Sequence, residues 1–376
     1  MRRVGRAGAP AYCAALTCSS AWDNDIMTTR QPATLMRHEI SEQPDALAKL
    51  VRTARPILAE VARRARSCQF SVLAARGSSD NASTYGRYLL EGVARMPTAL
   101  AAPSLYTLYN TPPRLSNALV IGVSQSGQSA DVVHVLHEAR EQGAATLAIT
   151  NTADSPLAAA AEHVVLLDVG LERALAETKT VTAQCLVYAM LVQEMSGSTE
   201  LHRGIDQIDR HTQYVLDHED QLASLAHTWI TADRAAVIGR GYTYGAAQET
   251  ALKLKETCYI SAEPYSAADF QHGPLAIIES GFPLLVILNQ DAALGTTLDL
   301  VRRADSRGAR VIGFTSAPIP DCGIDQHALF TLDNPAPLIS TVPFIVAGQL
   351  FAMHLSIARG YDPDISRGLN KVTVTI

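Results

Sequence analysis

Glu249, Lys253 and Glu256 stand at i, i+4 and i+7 in ETALKLKETCYI, residues 249–260. On a helix that spacing puts all three within about 60° of one face. A carboxylate that is positioned and partly desolvated can take a proton from carbon and return it. The same spacing also suits a solvated stripe, because Glu followed by Lys four residues on is a common surface pair. Periodicity alone favours the stripe. Downstream, PYSAADFQHGPLAII carries His272 ahead of Gly273 and Pro274. Pro274 disfavours helix at its predecessor, so His272 is expected on a loop. Histidine changes charge near neutrality and so can give or take a proton there, although a lone loop histidine is more often simply exposed. Near the C-terminus, SRGLNKVTVTI carries Lys371. Its amine could form an imine with a carbonyl, or it could belong to a loose tail.

A second group of polar residues is denser. SQSGQSAD, residues 124–131, follows the apolar run NALVIGV and precedes the helical VVHVLHEAR. Ser124, Ser126 and Ser129 supply hydroxyls, Gln125 an amide, and Gly127 a place where backbone can approach a ligand. The turn leads into a helix N-terminus, whose N–H groups and dipole favour an anion. One serine would be a plain N-cap. Three serines, a glutamine and a glycine in six positions read as a phosphate cradle. It is no Walker A loop, because the Gly-Lys-Ser/Thr ending is missing.

These groups need elements to hold them, and the chain supplies the elements twice. Gly77 and Gly241 are 164 residues apart. Ser124 and Asn289, Gly143 and Gly308, and Thr150 and Thr315 are each 165 apart. Around every landmark the pattern is a short apolar run, a polar or Gly-rich turn, a helix, and another apolar run. Continuous apolar strands alternating with helices imply parallel βαβ units buried on both faces. The reading is α/β, with two tandem doubly wound subdomains over 36–200 and 201–360. Residues 204–229 form a helical connector into the second copy, and 361–376 a closing tail. In such sheets ligands bind beyond the carboxyl ends of the strands, where the turns lie. The two copies have diverged there. The turn matching SQSGQSAD reads NQDAALG, residues 289–295, and its Asp291 would repel phosphate. One copy keeps an anion site and the other has lost it.

The chain of 376 residues has room for two cores at ~150 residues per domain. With 47% hydrophobic and 18% charged residues it reads as a soluble globular protein. A net charge of −6 disfavours a nucleic-acid binder. No uninterrupted apolar run approaches the ~18–20 residues of a membrane span. Cys13, Cys18, Cys68, Cys185, Cys258 and Cys322 show no paired spacing, so neither a disulfide framework nor a zinc site is expected, and the cytoplasm is the expected compartment. Residues 1–35 show no helical period and read as a disordered tail, or as an upstream start with the true start at Met27 or Met36. A secretory signal is the weaker alternative, since Gly8 and Pro10 interrupt its apolar part.

Taken together, SQSGQSAD, LERALAETKTVTAQ (171–184), GRGYTYGAAQETALKLKETCYISAEPYSAADFQHGPLAII (239–278) and SRGLNKVTVTI (366–376) resemble the sugar isomerase (SIS) superfamily. The similarity is to the isomerase half of glucosamine-6-phosphate synthase and to the SIS-type glucosamine-6-phosphate deaminases. It extends from about Met36, with LMRHEISEQP, to Ile376. It implies two flavodoxin-like subdomains that share one site. Ser79, Ser124, Gln125, Ser126 and Ser129 match positions that hold the sugar phosphate. Glu256 matches the acid/base working between C1 and C2, with Glu249 and Lys253 on the same helix. His272 matches a ring-opening histidine supplied across a homodimer interface. Lys371 matches a lysine able to form a Schiff base on a tail that covers the site. No metal or other cofactor is implied, and no nucleic acid or membrane. Three places depart from the pattern, one of them Asp269-Phe270 in the residues leading to His272. Arg76 stands where a small residue is usual. Glu177, in LAETK, stands where a sugar-contacting serine would be, and could either repel a neutral sugar face or engage an ammonium.

The synthase carries an N-terminal glutaminase domain of a couple of hundred residues, and only about 35 precede the SIS unit here. The expectation is therefore deamination: glucosamine 6-phosphate and water giving fructose 6-phosphate and ammonia. Aldose–ketose isomerisation, galactosamine-6-phosphate deamination and fructosamine-6-phosphate deglycation are the related alternatives. A sugar-phosphate sensor without turnover would need the serine loop but not Glu256, His272 and Lys371 together.

Overall fold

The computed structural model describes residues 33–319, 321–365, 367, 368 and 371. The opening segment 1–32, with Cys13 and Cys18, and residues 372–376 lie outside them. The first helix, Thr34–Ser41, begins inside the segment expected to be tail.

Two parallel sheets repeat one topology. The first contains β1 (Phe70–Ala74), β2 (Thr98–Leu100), β3 (Ala118–Val123), β4 (Ala145–Thr150) and β5 (His163–Leu166) in the order β2-β1-β3-β4-β5. The second contains β6 (Arg234–Gly239), β7 (Ser261–Ser266), β8 (Pro283–Leu288), β9 (Arg310–Thr315) and β10 (Leu329–Thr331) in the order β10-β9-β8-β6-β7. Read from the other edge, that is the same arrangement. Every strand of β3 and β4 is buried along its whole length, which is why both read as unbroken apolar runs. The strand order reverses between β1 and β3, and again between β6 and β8, so each sheet has a switch point where a crevice opens.

The two sheets are not separate bodies. The helix Ser78–Gly92 packs on both Lys179–Ser196 of the first copy and Tyr244–Cys258 of the second. One apolar core takes Leu73, Ile121 and Ile149 from the first sheet and Val237, Leu285 and Ile312 from the second. Thr341–Ala358 runs through it, against Tyr244–Cys258 and Glu219–His227. That helix has 18 residues at a mean hydropathy of 1.5, enough in length and composition to cross a membrane, yet 83% of it is buried within the protein. A helix that is apolar all round belongs in a core of this kind.

The connector differs from the single helical stretch expected over 204–229. It is broken into Ile208–Asp217 and Glu219–His227. The break falls at His218, which leaves helical geometry (φ −113°, ψ 23°), stacks on Tyr214 at 4.0 Å and meets the Tyr214 carbonyl through Nδ1 at 2.8 Å.

The two ends of the described chain meet. The N–H groups of Ala33 and Met36 donate to Asp362 Oδ1 (3.0 Å) and Asp364 Oδ1 (2.9 Å), and Leu35 N–H donates to Asp364 Oδ2 (2.8 Å). Two acids from the far end thus cap the first helix, satisfying N–H groups that no earlier helical carbonyl can reach. Arg367 lies over the rings of Tyr259 and Tyr361, at 4.0 and 4.7 Å from their centroids, which holds the tail against the body.

Candidate active site

The helix Tyr244–Cys258 does not carry a solvated stripe. Glu249 and Lys253 are fully buried, and the Glu256 side chain keeps 22% of its exposure. Lys253 Nζ lies 3.1 Å from Glu249 Oε1, 2.6 Å from Glu256 Oε2 and 3.2 Å from Ser78 Oγ. Glu249 is satisfied in turn by Ser78 Oγ–H at 3.0 Å and Asn81 Nδ2–H at 2.8 Å. Packing against Ser78–Gly92 overrides what the local pattern favours, since that helix covers the face that periodicity would leave wet. Burial pushes the Glu249 carboxyl up, while Lys253 and Asn81 pull it back. Burial works against the Lys253 ammonium too, but Glu249 and Glu256 outweigh it and hold its pKa above the ordinary value. The lysine is therefore a fixed positive charge. Glu256, the one member open to a ligand, faces it.

Lys371 is no loose tail. Its Nζ donates to Glu172 Oε2 at 3.1 Å and to the Ala174 carbonyl at 2.6 Å. Glu172 is sealed from solvent and also accepts from Thr178 N–H (2.9 Å), Thr180 N–H (3.1 Å) and Thr180 Oγ–H (2.8 Å). Burial alone would raise its carboxyl, but Lys371 and the two threonines bring it below the usual range. Glu39, in the first helix, grips the same segment through the N–H groups of Arg173 and Ala174. LMRHEISEQP thus positions the loop that receives Lys371.

Glu177 sits five residues beyond Glu172, immediately before the N-cap Thr178 of Lys179–Ser196. The residue retains partial exposure, yet its Oε2 is buried and meets no hydrogen-bond partner. Burial first, and then the Glu172 charge, raise its carboxyl to about 8 against the pull of Lys371 and Lys253.

The serine loop folds back on itself ahead of a helix. Gly127 has φ +66°, and a Cβ there would fall 2.2 Å from Ser155 Oγ, so only glycine fits. Its N–H donates to Ser124 Oγ at 3.1 Å, and Ser124 and Ser129 share a hydroxyl–hydroxyl hydrogen bond of 3.1 Å. Ser126 Oγ accepts from Gln128 N–H at 3.3 Å, and the Gln125 carbonyl accepts from Asn151 N–H at 3.0 Å. Ser129 is the N-cap of Ala130–Glu141, so the hydroxyls gather at a helix N-terminus. Arg76 completes the wall. It reaches from the end of β1 to Asp131, in the first turn of that helix, with Nη2 at 2.6 Å and Nε at 2.7 Å from Oδ2. In the second copy Asp291 Oδ1 accepts Ala293 N–H at 2.8 Å, so the turn is filled by its own carboxylate.

Ser79 lies buried in the first turn of Ser78–Gly92, but it is Ser78 that touches the charged helix. His272 is not brought to the others within one chain. It closes the short helix Ala267–Gln271, is exposed, and lines a surface cavity of about 390 Å³ with Arg240, Gln271, Thr296, Asp299 and Arg303. Sequence reasoning missed Ser78, Asn81, Glu172 and Glu39. Their common signal was position beside a recognised motif, and nothing local distinguishes them from ordinary helix-start and loop residues. Among the described residues, no three His, Cys, Asp or Glu side chains converge to hold a metal ion.

Comparisons with known proteins give the family. The SIS domain profile matches twice, over residues 68–193 and 230–353, once in each sheet. The chain belongs to the SIS domain family. It is 35% identical over 358 residues to a glutamine–fructose-6-phosphate aminotransferase (isomerizing) of Methanothermobacter thermautotrophicus, covering 94% of this chain and 60% of that protein. It superposes at a TM-score of 0.79 and 30% identity on a protein from Silicibacter pomeroyi proposed to be a phosphosugar isomerase, covering 87% of this chain and 99% of the other. At 21% identity it shares the fold of a glucosamine-6-phosphate deaminase from Thermotoga maritima, with a TM-score of 0.72 over 91% of this chain and 100% of the other. The chain spans about 60% of the length of the aminotransferase it matches.

Proposed function

We propose that this SIS protein is a phosphosugar enzyme of the aldose–ketose type that acts on an amino sugar, in its simplest form a glucosamine-6-phosphate deaminase. The observation that carries the proposal is the Lys253–Glu256 pair: a fully buried ammonium 2.6 Å from a carboxylate that stays partly open. Such a pair holds one carboxylate in a fixed place with an open side, and a positioned base is what proton transfer between adjacent carbons requires.

In the proposed cycle the serine loop and Ser79 hold the phosphate. His272, delivered from a second copy of the chain, helps to open the ring. Glu256 takes the C2 proton and returns it at C1, which leaves a C2 imine and a C1 hydroxyl. Water adds at C2 and ammonia leaves, giving fructose 6-phosphate. Lys371 can take the place of that water first, releasing ammonia as its own imine forms, and the imine is then hydrolysed. Glucosamine 6-phosphate and water are consumed, and fructose 6-phosphate and ammonia are formed.

The test is ammonia release by the purified protein given glucosamine 6-phosphate. Inertness towards every amino-sugar phosphate and towards fructose 6-phosphate would reject the proposal. The aminotransferase relative favours a second reading, in which the same site runs towards glucosamine 6-phosphate with ammonia made elsewhere. Comparing initial rates in the two directions, with fructose 6-phosphate and ammonium salt as the reverse substrates, separates the two.

A further inference from the structure

The site holds two lysines, and both are already paired. Lys253 has Glu249, Glu256 and Ser78 around its ammonium, and Lys371 has Glu172 and the Ala174 carbonyl. Glu177 has no cation of its own, although the charges of Glu172, Lys371, Lys253 and Glu249 all reach it. Its buried Oε2 has no partner. A buried polar atom without a partner is costly and calls for an explanation, which in a ligand site is a donor carried by the ligand. Charge decides which donor. Ionised, Glu177 would be a fourth carboxylate against two ammonium groups, a state that an added cation favours and a neutral hydroxyl does not. With the phosphate at the serine loop, as proposed above, the opposite end of the ligand is left to supply that cation.

Building on the amino-sugar reading above, we infer that Glu177 is the specificity-determining residue of this site: its carboxyl receives the ligand's amino group as an ammonium and so selects amino-sugar phosphates over neutral sugar phosphates of the same skeleton. Without a ligand the carboxyl holds its proton at neutrality, because burial and Glu172 raise it to about 8. An arriving ammonium displaces that proton to solvent, and a neutral sugar does not.

The experiment is calorimetric binding of glucosamine 6-phosphate and glucose 6-phosphate near pH 7, in two buffers of different ionisation enthalpy, with Glu256→Gln as the background so that neither ligand is converted. The expected result is at least tenfold tighter binding of the amino sugar, with net proton release that approaches one per site. Adding Glu177→Gln or Glu177→Ser should erase both the preference and the proton release, and leave glucose 6-phosphate binding within about threefold. Melting curves confirm that the variants are folded, and the serine variant serves if the glutamine variant is not. Equal loss of both ligands, an unchanged preference, or no binding of either ligand to the background protein overturns the inference. A wild-type protein that shows the preference but releases no ammonia leaves the inference standing and rejects deamination. Ammonia release with a preference untouched by Glu177 does the reverse.

Discussion

Lys253 Nζ stands 2.6 Å from Glu256 Oε2, a contact between a residue with no exposure and a carboxylate with 22% of its surface still open. The burial runs one way along the helix, from Glu249 through Lys253 to Glu256, so one charge is sealed, one is shared and one is presented.

Replacing Lys253 with Met should therefore do more than remove a salt bridge. Glu249 would remain buried opposite an uncompensated cavity wall, and breaking a buried pair on one side costs roughly 3–5 kcal/mol. The expected outcome is a clear fall in melting temperature together with loss of turnover. A melting temperature like that of the wild type would show that Glu249 simply takes up a proton.

Glu256→Gln keeps the shape and the partial exposure, removes the base, and leaves Lys253 its buried partner Glu249. Its melting temperature should stay close to that of the wild type, phosphosugar binding should persist, and kcat should fall by about 10²–10⁴. Undiminished turnover would take Glu256 out of the chemistry.

Gly127→Ala combines a left-handed φ with a Cβ placed inside Ser155. Loop displacement should weaken sugar-phosphate binding by at least about tenfold, and the strain should cost about 1–3 kcal/mol. Titration with glucosamine 6-phosphate and thermal melting together read both effects. Affinity unchanged in a folded variant would place the phosphate elsewhere.

Glu177 gives the protein a particular pH response. Its carboxyl is raised in the folded state to about 8, from an ordinary value of 4.5. A raised carboxyl leaves stability intact below the ordinary value and withdraws it as pH climbs towards the folded value. Wild type should lose stability relative to Glu177→Gln between about pH 4.5 and 8, by an amount on the order of 3–5 kcal/mol. Denaturant melts of the two proteins across that range measure the difference directly. Parallel curves would mean that Glu177 ionises as freely in the fold as in the unfolded chain.

The repeat was the most legible part of the chain. Landmarks spaced 164 and 165 residues apart translate into two sheets of the same strand order, because each βαβ unit is written locally as an apolar run, a turn and a helix. The serine loop was legible for the same reason, its hydroxyls and glycine lying within a few residues of one another. The charged helix was legible in its spacing but not in its burial. What seals the charged helix is another helix, whose Ser78 meets Lys253 across 175 positions and whose Asn81 meets Glu249 across 168, and no local pattern encodes such contacts. The Lys371–Glu172 pair is 199 residues apart and invisible for the same reason. His272 was legible as a residue type and a loop position, and the single chain leaves it on the surface.

The meeting of the two ends of the described residues has a consequence for how the protein is made. The segment beneath Lys371 is held by Glu39 from the first helix and by Lys371 from the last residues, and that first helix is itself capped by Asp362 and Asp364. Chain order places the partners of that one segment far apart: Glu39 is made early and Lys371 late, so the stretch from Glu172 to Ala174 gains its full set of hydrogen bonds only after the sequence between them has been made.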